Sequence, residues 1–270
     1  NFATVVADRT AEDITDAASV SYGVDLRGGK RYLRLSVSTE TTTNDDEMAI
    51  LVKQPAVRPV GGGAWPTVVI FHDGPGIRNA THTFMAKLAD EGFRVICPDL
   101  YHRQGRLLGI NPEDRAADPS LGEKMRTWLM SLHDDGIQHD FDCALSATGA
   151  DKAERIAVLG FCLGARAVFR SMMRMPDRIV AGATWHPSFL VDGEPDSPHQ
   201  TAANLAQPLY IGIGTADQVQ SIAMHQRFFD VVEPLANVEV EIFDGADHGF
   251  TWPDHPTYNE AAAQGCWDKT

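Results

Sequence analysis

The chain has 270 residues, 43% hydrophobic and 22% charged, with a formal net charge of −14 at pH 7. That length suits one large α/β domain spanning 1–270, and the ordinary composition excludes wholesale disorder. The acidic balance excludes nucleic acid and anionic membranes as broad-surface partners, because both would repel it, but not a small anion held locally.

The first 20 residues are polar and read as a loose arm. Leu33, Leu35 and Val37 then alternate with polar residues, and "EMAILVK" from Glu47 follows a polar turn. Together they predict an N-terminal antiparallel hairpin at one edge of a sheet. Beyond a Pro/Gly-rich connection, short apolar runs alternate with helical segments. The strands are "TVVIF" from Thr67, "FRVICPD" from Phe93, "RIAVLG" from Arg155, "IVAGATW" from Ile179, "PLYIGIG" from Pro208 and "VEVEIF" from Val238. Between the last two, Phe228, Val231, Val232 and Leu235 mark one face of a helix over 221–232, stopped by Pro234. A second helix closes the chain from Tyr258. Strand alternating with helix predicts a mostly parallel central sheet with helices on both faces. The segment 104–121 is expected to cap the pocket.

Cys97, Cys143, Cys162 and Cys266 form no C-x-x-C pair and no zinc-ribbon spacing, which suits a reduced, cytoplasmic chain without a metal. No apolar run has membrane-span length, and the stretch from Asn1 lacks a signal-segment pattern.

Cys162 sits in Gly160-Phe161-Cys162-Leu163-Gly164, between the strand ending at Leu159 and small residues opening a helix. In such G-x-nucleophile-x-G turns a strained middle residue lifts its side chain off the sheet. The flanking glycines are needed because a Cβ there would strike the neighbouring strand or helix. The helix start also favours a thiolate. A buried structural cysteine is the plainer alternative; the glycines and the strand-helix junction favour a nucleophile. A nucleophile needs a base and the base an orienting acid, and in α/β-hydrolases the chain order is nucleophile, acid, histidine. Asp217, after one strand, and His248, in a Gly-rich loop after the next, fit that order. His186 is the rival base but precedes the acid; Asp247 is less suitable than Asp217 because adjacent loop side chains diverge. The backbone N–H groups of Leu163 and of Gly74, in "HDGPGIRN", are the expected oxyanion donors.

The stretches "HDGPGIRN", "CPDLYHRQ", "GFCLG", "GTADQ" and "ADHGF" resemble the dienelactone hydrolase family from about Trp65 to the end. The resemblance implies an α/β-hydrolase fold, a triad at Cys162, Asp217 and His248, and cofactor-free hydrolysis of lactones and esters. It also implies that Asp73, where the family type carries Glu, contacts the resting thiol, and that Arg103 holds a substrate carboxylate. Tyr101 is a further candidate for the pocket. A second carboxylate-binding arginine of the family is here Trp252, which points to a less charged or bulkier acyl group. The expectation is therefore a carboxylic ester hydrolase acting on a small-molecule ester or lactone, as a monomer or homodimer. A non-catalytic ligand-binding or interaction protein of the same fold is the alternative, and a thioesterase a weaker one.

Overall fold

The computed structural model describes residues 18–25, 32–39, 47–53, 66–105, 108–150 and 155–270. Among the described residues, nine strands form one sheet in the order β1-β2-β3-β5-β4-β6-β7-β8-β9. They are β1 (Ala18–Asp25), β2 (Tyr32–Thr39), β3 (Glu47–Lys53), β4 (Thr67–Phe71), β5 (Arg94–Pro98), β6 (Ile156–Phe161), β7 (Ile179–Trp185), β8 (Leu209–Gly214) and β9 (Val238–Phe243). β1, β2, β3 and β5 pair antiparallel in succession, whereas β5, β4 and β6 to β9 run parallel. The polar arm lies outside the described residues up to residue 17, and residues 18–20 belong to β1.

The helices are α1 (Asn79–Asp90), α2 (Pro112–Ala117), α3 (Leu121–Met130), α4 (Asp134–Thr148), α5 (Gly164–Arg174), α6 (Pro198–Thr201), α7 (Ile222–Val232) and α8 (Glu260–Lys269). Alternation along the buried strands sends successive side chains to opposite layers. Val69, Phe71, Val158 and Ile211 meet Phe141 of α4, Phe169 of α5 and Phe228 of α7. Val68, Ile70, Leu159 and Tyr210 meet Met85 of α1 and Cys266 of α8. β9 is half-exposed, as its Val-Glu alternation and edge position require. In α7 the buried set is His225, Phe228, Phe229 and Val232, so the apolar face lies slightly around the helix from the expected one.

β4 is flanked by β5 on one side and β6 on the other, so the chain crosses the sheet in opposite directions from it. The loops after the carboxyl ends of β4 and β6 face each other across that switch point, where open α/β sheets bind ligands. The 104–121 segment enters this region: Gly109 bridges Gly76, and the Ile110 N–H donates to the Pro75 carbonyl at 2.9 Å. Beyond that segment, Met125 of α3 overhangs Gly74; its sulfur is 3.7 Å from where a Cβ on Gly74 would lie.

Candidate active site

Cys162 lies between β6 and α5 with φ 52°, a left-handed backbone that a non-glycine residue adopts at a cost of about 1–3 kcal/mol. The packing around it enforces this turn. A Cβ on Gly160 would come 2.3 Å from the Gly164 carbonyl oxygen, and one on Gly164 would come 2.3 Å from that of Phe71 in β4. The Cys162 N–H donates to the Trp185 carbonyl at 3.2 Å, and its own carbonyl accepts from Ser188 at 2.9 Å and Ala165 at 3.1 Å. His186 and Phe189, in the loop after β7, also have positive φ, at 40° and 61°.

Asp217, after β8, is buried and holds the ring of His248, after β9. Its Oδ2 is 2.7 Å from His248 Nδ1, while Oδ1 accepts the Val219 and Gln220 N–H groups at 2.9 and 2.7 Å. The second oxygen is thus spent on fixing the carboxylate. Asp247 instead accepts the backbone N–H groups of His248 and Gln218 at 2.6 and 3.2 Å, pinning the loop rather than the ring. His186 packs edge-on against His248 with centroids 5.2 Å apart, and its Nε2 lies 2.8 Å from Thr251 Oγ1. Burial, aided by the His248 charge, drops His186 well below the usual histidine range, so it is a neutral neighbour.

Cys162 is half-buried, and its sulfur rests 3.3 Å from Ser188 Oγ. His248 Nε2 is buried, and the Cys162 thiol lies close enough to couple with it through charge and hydrogen bonding. Burial opposes the imidazolium, but the Cys162 charge and the Asp217 hydrogen bond outweigh it and raise His248 to about 10. Burial likewise opposes the thiolate, and the His248 charge and the Ser188 hydroxyl overcome it, lowering the Cys162 thiol below its usual value.

Among the described residues, the N–H groups of Gly74 and Leu163 have no acceptor within the protein. The loop carrying Gly74 is held from behind. The buried Tyr101 hydroxyl donates to the Gly74 carbonyl at 2.9 Å, so Tyr101 acts on this loop instead of lining the cleft. His72 spans the loop's other end, with Nδ1 2.8 Å from the Asp73 carbonyl and Nε2 accepting the Leu100 N–H at 3.1 Å. No group of three or more His, Cys, Asp or Glu among the described residues is placed to hold a metal.

Three expected contacts are corrected. The Asp73 carboxylate does not bond the thiol: both its oxygens accept from Arg78 Nη1, at 2.7 and 3.0 Å, and the sulfur meets Ser188 instead. Arg103 is already spent on a carboxylate of its own chain, forking onto Asp140 at 2.8 and 2.7 Å. Trp252 is only 1% exposed. Its ring packs 4.4 Å from Phe161 and 4.7 Å beneath the Arg78 guanidinium, in the core layer on the α1 and α8 side. Ser188 and Arg78 are the two residues that sequence reasoning overlooked. Arg78 lies in the quoted "HDGPGIRN" stretch, five residues past Asp73, and that spacing was the available signal.

The sequence profile of the dienelactone hydrolase family matches residues 52–270. The chain belongs to that family. Dienelactone hydrolase relatives include a protein named "Putative carboxymethylenebutenolidase" from Methylorubrum extorquens, 26% identical over 80% of this chain and 74% of that one. Another, from Bradyrhizobium sp, is named "Probable 2-oxo-3-(5-oxofuran-2-ylidene)propanoate lactonase" and is 26% identical over 79% of this chain and 84% of its own. Among solved structures, a dienelactone hydrolase-like protein of Klebsiella pneumoniae subsp. pneumoniae superposes with a TM-score of 0.64 at 20% identity. That match covers 94% of this chain and 97% of the other, and it shows the shared α/β-hydrolase fold. As a member of the family, the chain is a hydrolase of the carboxylic-ester class.

Proposed function

We propose that the protein cleaves a small lactone or activated ester through a Cys162 thiolate and an acyl-enzyme intermediate. The observation that carries this is the strained Cys162 at the helix start beside an Asp217–His248 pair bonded at 2.7 Å. The thiol gives its proton to His248 Nε2, and the sulfur attacks the carbonyl carbon. The developing oxyanion accepts from the Leu163 and Gly74 N–H groups. His248, now cationic and steadied by Asp217, protonates the departing alkoxide and then takes a proton from the water that hydrolyses the thioester. Thiolates form thioesters readily but expel amines poorly without strong acid assistance, so esters and lactones are better substrates than peptides.

The acyl group that fits is uncharged. Arg103 is forked onto Asp140, Arg78 is sealed on Asp73 and Asp254, and Arg166, at the start of α5, is held by Asp134 and Asp192. A substrate carboxylate would have to compete with these partners for the guanidinium charge. Met125 over Gly74, with Trp128 tilted against Tyr101 at 5.6 Å, offers an apolar wall instead.

The test is p-nitrophenyl acetate turnover by the parent, Cys162→Ser and His248→Ala, followed by a neutral lactone and its carboxylate-bearing analogue. The expected result is loss of turnover in both variants and a higher kcat/KM for the neutral lactone. Equal background rates in all three proteins would instead favour a non-catalytic ligand-binding role.

A further inference from the structure

We infer that His186 is a positioning residue for this reaction: its ring is a second brace, besides Asp217, that sets the plane of the His248 imidazole relative to the Cys162 turn. The inference rests on the reading of Cys162 and His248 as the reacting pair.

Asp217 holds the His248 ring at one atom, through the 2.7 Å contact at Nδ1. The torsion that turns an imidazole about its Cβ–Cγ bond is broad, so a single hydrogen bond leaves the ring plane loosely set. His186 supplies the further contact. It meets His248 edge to face, with centroids 5.2 Å apart and ring planes at 69°. Its Nε2 lies 2.8 Å from Oγ1 of Thr251, three residues past His248. His186 therefore touches both the ring and the turn that carries it.

The brace is itself fixed. His186 is 1% exposed, its N–H donates to the Gly212 carbonyl of β8 at 2.8 Å, and its ring meets Phe161 and Phe250 at 5.9 and 5.7 Å. At φ 40° its backbone is left-handed, a conformation that persists in a non-glycine residue only where the surroundings over-determine it. Its neighbours hold the thiol's backbone. The Trp185 carbonyl accepts the Cys162 N–H at 3.2 Å, and the Ser188 N–H donates to the Cys162 carbonyl at 2.9 Å. Residues 185–188 thus grip the nucleophile's main chain and the base's ring together, and fix one against the other. The brace must also stay uncharged, because a cation this close would oppose the imidazolium that forms on His248. Among the described residues, the charged or titratable groups acting on His186 are His248, His255 and Arg78, and all three add to burial in keeping it neutral.

The test is steady-state kinetics on p-nitrophenyl acetate, together with the pH midpoint of iodoacetamide labelling at Cys162 read by peptide mass spectrometry. The proteins are the parent, His186→Ala, His186→Phe and Thr251→Val. His186→Ala is expected to lower kcat about tenfold with KM within about twofold. Its labelling midpoint rises by about 0.5 pH unit, because the thiolate loses a well-placed imidazolium. His186→Phe keeps a ring and gives up only the bond to Thr251, so it regains most of the kcat and the midpoint, and Thr251→Val matches it. A purely structural residue would lower the melting temperature and the fraction of labelled protein without moving the midpoint. An unmoved midpoint in His186→Ala, or a Phe variant no better than the Ala variant, would overturn the role of His186. If His186→Ala does not fold, His186→Gln, ringless but long enough to reach Thr251, is judged by the same two criteria. Cys162→Ser hydrolysing like the parent would instead remove the thiol reading itself, so the two failures are distinct.

Discussion

The Tyr101 hydroxyl donates to the Gly74 carbonyl at 2.9 Å and so anchors the residue whose own N–H is the proposed oxyanion donor. Burial raises the phenol far above its usual range, which keeps it a donor at every working pH. Removing it leaves a buried carbonyl unpaired and an oxyanion donor free to drift. Tyr101→Phe is therefore expected to lower kcat by about tenfold with little change in KM. Steady-state kinetics on a p-nitrophenyl ester checks this; a rise confined to KM would place Tyr101 in substrate binding.

Asp217 sets the tautomer of His248 by accepting at Nδ1, which in the proposed mechanism leaves Nε2 to take the thiol proton. Asp217→Asn can keep the acceptor for Val219 and Gln220, because one side-chain oxygen remains, but it presents an N–H to the ring. The expected loss in kcat is about 10³-fold or more, with the fold intact by circular dichroism. A loss smaller than tenfold would mean that another group orients the imidazole.

His72 makes the fold acid-sensitive. Burial, with the neighbouring Arg78 charge and against the bond to the Asp73 carbonyl, holds it at about 4 in the native state, against 6.5 for a free histidine. Between these values the unfolded chain binds a proton at His72 and the native protein does not, so stability rises with pH through the window and levels off above 6.5. The contribution of His72 is about 3 kcal/mol lost from pH 6.5 to pH 4. His186 and His225, also lowered by burial, add to it in the same direction. Urea unfolding at a series of pH values measures the slope, and a flat profile across the window would contradict the neutral, buried His72.

The strands and the Gly160–Gly164 turn were legible because their causes are local. Continuous apolar runs such as Val158-Leu159 need cover on both faces, and Gly160 and Gly164 are dictated by backbone atoms less than 3 Å from where a Cβ would go. The placement of Asp217 and His248 also followed, since each closes a strand whose neighbour is fixed by the sheet. What escaped depends on contacts between distant segments. Arg78 takes its second carboxylate from Asp254, 176 residues away, and nothing near Arg78 announces it. Ser188 reaches the sulfur from the loop after β7, in a Pro-Ser-Phe stretch without a motif. Trp252 sits four residues past His248, yet spacing in a loop does not fix direction. The turn sends its ring inward to Phe161 and Arg78.

The most direct test is rapid acid quench of the protein with p-nitrophenyl acetate, then mass spectrometry of the peptide containing Cys162. One acetyl group on Cys162, formed together with the p-nitrophenolate burst and accumulating in His248→Ala if its attack still proceeds, is the expected result. Turnover with no acyl group ever found on Cys162, or with the acyl group on Ser188 instead, would contradict a cysteine nucleophile at this turn.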